Sequence, residues 1–220
     1  MTGVGAHYRR SRERLTGLLG DVDPDGWRAP VAACPGWRVQ DVIGHLVGVV
    51  EDAMAGRMTV IPPPEEQTAE QVERHRDDPP DLLLATWGEL SGPFEQAVTQ
   101  LEAWPAAIDV HTHEHDVRAA LARPGARDDE LVLDAARRLI EGLAVDGTIS
   151  VDLGDGTGPV TSTPAPGPDY RLRATPFEVF RLRMGRRSRD QVTALDWSRD
   201  PEPVLDALFL FGPAEAPLVE

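Results

Sequence analysis

Lysine is absent from this chain, cysteine occurs once, and aromatic residues make up only 5% of it. Each shortage excludes something. With Cys34 alone, no disulfide can form within the chain and no cluster of thiolates can hold zinc. The 22 basic residues are all arginine and face 37 Asp and Glu, leaving a net charge of −15. So acidic a surface repels a phosphate backbone, so no nucleic acid is expected as a partner. No apolar run approaches the roughly 18 residues that a membrane span needs, so no membrane is expected either. Arginines interrupt residues 1–19, which therefore lack the apolar segment of a secretory signal. The expectation is a cytoplasmic chain. Its hydrophobic content of 41% is enough for a core, but one made of Leu, Val, Ala and Ile.

Hydrophobic periodicity predicts four main helices in the first half, over residues 4–19, 37–54, 81–101 and 106–121. In the second of these, Val42, Leu46, Val49 and Ala53 fall at i, i+4, i+7 and i+11, one stripe of a 3.6-residue period. Gly92 and Pro93 should kink or split the third. Residues 21–36 read as turns. Pro62, Pro63 and Pro64 break the chain, and a short surface helix is expected over 68–76. After residue 125 the character changes. A helix over 131–143 precedes an alternating strand at Ile149, Val151 and Leu153, with further strands over 160–163 and 170–173. Thr175 and Glu178 form a capping box for a helix to residue 184, and helical patterns return over 188–195 and 201–210. The expected architecture is α+β: a four-helix bundle over 1–125 and a small α+β domain over 126–220, with the boundary between Arg123 and Glu130.

The histidines carry the chemistry. His7 and His75 lie on polar faces and are expected in water. His45 shares its stripe with Val42 and Val49, so its ring points into the bundle. Standing alone it would be a buried histidine satisfied by one hydrogen bond. The fourth helix, however, holds Asp109-Val-His111-Thr-His113-Glu-His115-Asp116, in which Asp109 with His113 and His111 with His115 are both i, i+4 pairs. Val110, Val117, Ala120 and Leu121 lie near the first pair, while Thr112 and Arg118 accompany the second. Asp109 and His113 are therefore expected to face inward, and His111 and His115 to face water. Together with His45 they make an N/N/O set suited to zinc or another late divalent metal, with room for a further ligand. The competing reading is a solvated polar face on which Asp109 caps a helix. Cys34 reads either as a reactive thiol or as a small packing residue. The arginines from Arg181 to Arg189 read either as a clamp for carboxylates, with Arg186 and Arg187 the candidates for a catalytic role, or as partners of acidic residues such as Asp190 and Asp196.

Three segments carry a family resemblance: Cys34-Pro-Gly-Trp through His45-Leu, His113-Glu-His-Asp-Val-Arg-Ala-Ala-Leu121, and Pro176 through Arg189 followed by Ala194-Leu-Asp-Trp197. In this order they resemble the mycothiol-dependent maleylpyruvate isomerase family. The resemblance implies a DinB-like metal-binding bundle followed by a small C-terminal domain. It also implies zinc held by His45, Asp109 and His113, and mycothiol, a low-molecular-weight thiol, as cofactor. The implied activity is that of an isomerase or thiol transferase acting on a small electrophile, in a monomer or homodimer. Two departures stand out: Asp109 replaces a usual glutamate, and Arg38 replaces a helix-capping Ser or Thr. The alternatives are a non-catalytic metal-binding or regulatory protein of the same fold, and a hydrolase using metal-activated water.

Overall fold

The computed structural model describes residues 3–58 and 63–220; Pro62, part of the expected chain break, lies outside them. The chain divides into two compact units, Met1–Gly125 together with Glu220, and Ala126–Val219. The class is α+β, with helices throughout and one small sheet.

The first unit is helical: α1 Val4–Leu19, α2 Pro24–Trp27, α3 Val39–Met54, α4 Glu65–His75, α5 Pro80–Gln100 and α6 Trp104–Ala120. α1, α3, α5 and α6 form the bundle, with α1 against α5 and α6, and α3 against α5 and α6. Its interior holds Leu15, Val42, Leu46, Trp87, Val110 and Val117, all buried. Pro93 does not split α5, which runs through it for 21 residues. Buried Trp87 and Phe94 on either side anchor the helix across the one backbone bond that proline removes. The single turn of α2, inside a stretch read as loop, exists because Asp23 caps the Gly26 amide at 2.8 Å and Pro24 opens the helix.

α4 is more than a surface helix. It packs on α3 where Gly44 and Gly48 leave room: a Cβ on Gly48 would lie 2.7 Å from Gln71 Cβ, and one on Gly44 2.9 Å from His75 Cβ. His75 is therefore buried, not solvated. Its Nδ1 lies 2.8 Å from Asp78 Oδ2 and its Nε2 3.1 Å from Glu51 Oε2, so two carboxylates stand where water was expected. His7 is also buried; its Nδ1 accepts from Arg10 at 2.8 Å and its ring lies 5.7 Å from that of Trp104.

The largest correction concerns α6. From Ala107 to Val117 every residue except Asp109 is buried, so this helix has no watered face. His111 and His115 are inside, with their Nε2 atoms 3.2 Å apart. α1 supplies what water would have: Ser11 Oγ lies 2.9 Å from His111 Nδ1, and Arg14 donates to both oxygens of buried Glu114 at 2.8 Å. Arg118 adds a third bond to Glu114 at 3.0 Å. Burial alone would raise the Glu114 carboxyl, but hydrogen bonds from His111 and Arg14 outweigh it and hold the group at about 2.

In the second unit α7 Glu130–Glu141 packs on α8 Pro176–Arg183. The strands β1 Thr148–Asp152, β2 Val160–Thr161, β3 Asp169–Arg173 and β4 Asp196–Trp197 form one sheet in the order β2-β1-β3-β4. β2 returns antiparallel on β1, β3 lies parallel to β1, and β4 pairs antiparallel with β3. Ile149, Val151, Tyr170 and Leu172 point into a core shared with Ile140, Val179, Leu182 and Val192, while Arg171 and Arg173 face out. Thr175 caps α8, accepting from Glu178 N at 3.2 Å, but the expected box stays half closed because the Glu178 carboxylate pairs with Arg187. α9 covers only Arg189–Thr193, and the expected helix over 201–210 is two 3-10 turns, Glu202–Val204 and Asp206–Leu208.

Two stability measurements check this account. Gly48→Val should cost about 1–3 kcal/mol in denaturant unfolding, because overpacking against Gln71 outweighs any gain in helix propensity. Glu114→Gln should cost about 3 kcal/mol near neutrality, since it leaves Arg14 facing a neutral amide. The Glu114 carboxyl is depressed in the folded state. Its contribution is therefore complete above the unfolded value of about 4.3 and disappears as pH falls through about 2. The gap between wild type and Glu114→Gln should close across that window.

Candidate metal centre

The residues of the candidate centre are set by two helices and one turn. Val31 N–H donates to Trp37 O, and Trp37 N–H donates to Cys34 O, both at 2.9 Å. Pro35 stands second in that turn and Gly36 third, at φ +83°, the arrangement of a type II turn that needs glycine at this point. The turn delivers Cys34 and Trp37 to opposite ends of a four-residue step leading into α3. Arg38 then opens the helix. Asp41 does the capping, accepting from the Arg38 backbone N–H at 2.8 Å and from its guanidinium at 2.7 and 2.9 Å. The missing Ser or Thr is thereby compensated.

His45 lies in the second turn of α3, and Asp109 and His113 lie one turn apart on α6. Their ligating atoms all fall within 4.8 Å of one another. Asp109 Oδ2 is 3.8 Å from His45 Nε2 and Asp109 Oδ1 is 3.6 Å from His113 Nε2, so each carboxylate oxygen faces one imidazole. The shorter side chain of aspartate does reach both rings. These separations exceed hydrogen-bond length but lie near those of donors that share a cation, since bonds of about 2.0–2.2 Å put tetrahedral ligands roughly 3.3–3.6 Å apart. Both histidines are buried, whereas the Asp109 side chain keeps 33% of its exposure. Asp109, expected to face inward, does turn its carboxylate to both buried rings, and its position on α6 leaves one side open to solvent.

The structure also tests whether the set fits a metal. His45 Nδ1 is buried and has no hydrogen-bond partner among the described residues, while Nε2 of the same ring is aimed at Asp109. A cation on Nε2 would keep the ring proton on Nδ1 and would not relieve that atom, so the fit rests on the donors that face Asp109. His113 is oriented differently. Its Nδ1 lies 3.0 Å from Asp116 Oδ2, and a buried carboxylate there accepts the Nδ1 proton, leaving the Nε2 lone pair directed at Asp109. Trp37 packs beside both rings, 5.4 Å from His45 and stacked at 6.3 Å on His113, while the two imidazoles meet edge to face at 5.2 Å. Two imidazole nitrogens, one carboxylate and an open side fit a divalent cation with an exchangeable position.

Trp37 also lines a groove of about 370 Å³ with Ala69, Glu70, Val72, Glu73 and Arg76 of the α4 region. Sequence reasoning missed both Trp37 and Asp116. The i, i+3 spacing from His113 to Asp116 carried the signal for the second, and the Pro-Gly turn carried it for the first. Arg186 and Arg187 lie in the second unit. Arg187 is held by Glu178 through two bonds of 2.8 and 2.7 Å, and Arg186 donates to Met184 O at 2.8 Å. Arg189 pairs with Glu202 and Asp206 rather than with Asp190 or Asp196.

No helix among the described residues is long and apolar enough to cross a membrane. Comparison with known proteins adds the following. No curated protein matches the chain. Two crystal structures share its fold, that of the mycothiol-dependent maleylpyruvate isomerase (TM-score 0.57) and that of its histidine-to-alanine mutant (TM-score 0.55). Each is 17% identical and aligns over 92% of this chain and 99% of its own. The family model described as the mycothiol maleylpyruvate isomerase N-terminal domain matches residues 8–133, a span that contains His45, Asp109 and His113. That span is more than half of the chain, and the chain belongs to the mycothiol maleylpyruvate isomerase N-terminal domain family.

Proposed function

We propose that this protein is a metal-dependent enzyme that uses a low-molecular-weight thiol, mycothiol, on a small electrophilic substrate, as an isomerase or thiol transferase. One observation carries the reading: His45, Asp109 and His113 turn three donor atoms of the right chemistry toward a common point. Zinc is the ion that suits an N/N/O set with one open position. When bound there, it supplies the Lewis acidity that lowers the pKa of a thiol held against it.

The chain's own residues do the rest. Asp116 keeps the His113 proton on Nδ1, so that Nε2 remains a lone-pair donor. Trp37 packs at a tilt against His45 and stacks on His113, walling one side of the two rings. The half-exposed Asp109 edge leaves the approach for thiol and substrate. A role for Arg186 and Arg187 in holding a carboxylated substrate is a proposal that rests on the bidentate chemistry of guanidinium alone.

The test is to purify the protein, load it with zinc, and assay maleylpyruvate isomerisation and thiol conjugation with and without mycothiol. Turnover that requires both zinc and thiol is the expected result. Turnover without thiol would replace this reading with that of a hydrolase, and stoichiometric zinc without turnover would leave a binding protein. Asp116→Ala should weaken zinc about 10–100-fold while leaving the fold intact, as loss of a partner that orients a ligand does. Competition with a chelating dye measures it.

A further inference from the structure

Cys34, His113 and Asp116 form a second set of three potential ligands, on the far edge of the same imidazole that serves the first. Cys34 Sγ lies 3.6 Å from Asp116 Oδ2 and 4.0 Å from His113 Nδ1, and those last two atoms are 3.0 Å apart. Zinc bonds of about 2.3 Å to sulfur and 2.0–2.1 Å to nitrogen put tetrahedral donors roughly 3.3–3.6 Å apart. The observed triangle matches that within about half an ångström on each edge. The donors are also fixed in place. Cys34 is held by its turn at 9% exposure, and Asp116 and His113 sit on consecutive turns of one buried helix.

We infer that Cys34 Sγ, His113 Nδ1 and Asp116 form a sulfur-containing site for a second, softer divalent cation, with His113 bridging it to the first. A thiolate in the set selects for zinc or cadmium over hard ions such as magnesium. The charges close. Binding releases the thiol proton of Cys34 and the Nδ1 proton of His113 to solvent. The thiolate, the imidazolate and the two aspartates Asp109 and Asp116 then carry four negative charges against two divalent cations. Without a second cation the same atoms hold those protons, and Asp116 orients His113 as described above. The inference concerns a second ion, and it stands or falls separately from the proposed reaction.

The experiment titrates cadmium into protein already carrying one equivalent of zinc and follows the ultraviolet thiolate-to-cadmium charge-transfer band. Cys34 is the single cysteine, so any such band reports this site. The wild type should develop the band with the first equivalent of cadmium and then saturate. His45→Ala should lose the zinc and keep the band. Cys34→Ser should lose the band and keep the zinc. Asp116→Asn should keep a band but need at least about tenfold more cadmium to reach it. No band at stoichiometric cadmium, or a band in Asp116→Asn that saturates as in the wild type, would overturn the inference.

Discussion

A carboxylate on α6 facing an imidazole on α3 and another on its own helix is the contact around which the first unit is arranged. Asp109 cannot stand between His45 and His113 unless α3 and α6 hold a fixed separation and a fixed rotation. Several features serve that requirement. The glycines of α3 let α4 close on its outer side, Arg38 and Asp41 fix where α3 begins, and the type II turn at Pro35-Gly36 puts Trp37 across both rings. None of these touches the common point itself, yet each sets the position of an atom that does.

α6 bears the heaviest demand. It carries an aspartate, three histidines, a glutamate and a further aspartate within eight residues, and nearly all of them are buried. Desolvating so many polar groups is tolerable only because they meet partners, some within α6 and some on α1 or in the turn at Cys34. One side of the helix turns Asp109 and His113 toward His45. The other turns His111 and Glu114 toward Ser11 and Arg14 of α1, with His115 against His111. The second network thus locks the rotation of α6, and that lock sets the aim of His113. Structural and chemical polarity on one helix are two parts of the same arrangement.

Much of this was legible in the residues. The stripe through Val42, Leu46 and Val49 placed His45 inside, and the i, i+4 spacing paired Asp109 with His113. The alternation at Ile149, Val151 and Leu153 gave a strand buried on one face, and Thr175 with Glu178 gave a cap. What failed was the assumption that a polar stripe must meet water. The partners of His111 lie on α1, about a hundred positions earlier, and no local pattern reports that Ser11 and Arg14 will be there. The same holds for His75, whose burial depends on glycines of α3 thirty residues upstream. β4 is two residues long, too short for any periodicity to register. Pro93 looked like a break because proline removes a backbone bond, but the packing of Trp87 and Phe94 outweighs that loss.

The central claim is that His45, Asp109 and His113 hold one cation between them. X-ray absorption at the zinc edge, on protein carrying a single equivalent of zinc, tests it most directly. The account predicts a first shell of nitrogen and oxygen alone at about 2.0–2.1 Å, with the outer scattering of two imidazoles, and loss of that bound zinc in His45→Ala. A first shell containing sulfur at about 2.3 Å, or a spectrum unchanged by His45→Ala, would contradict it.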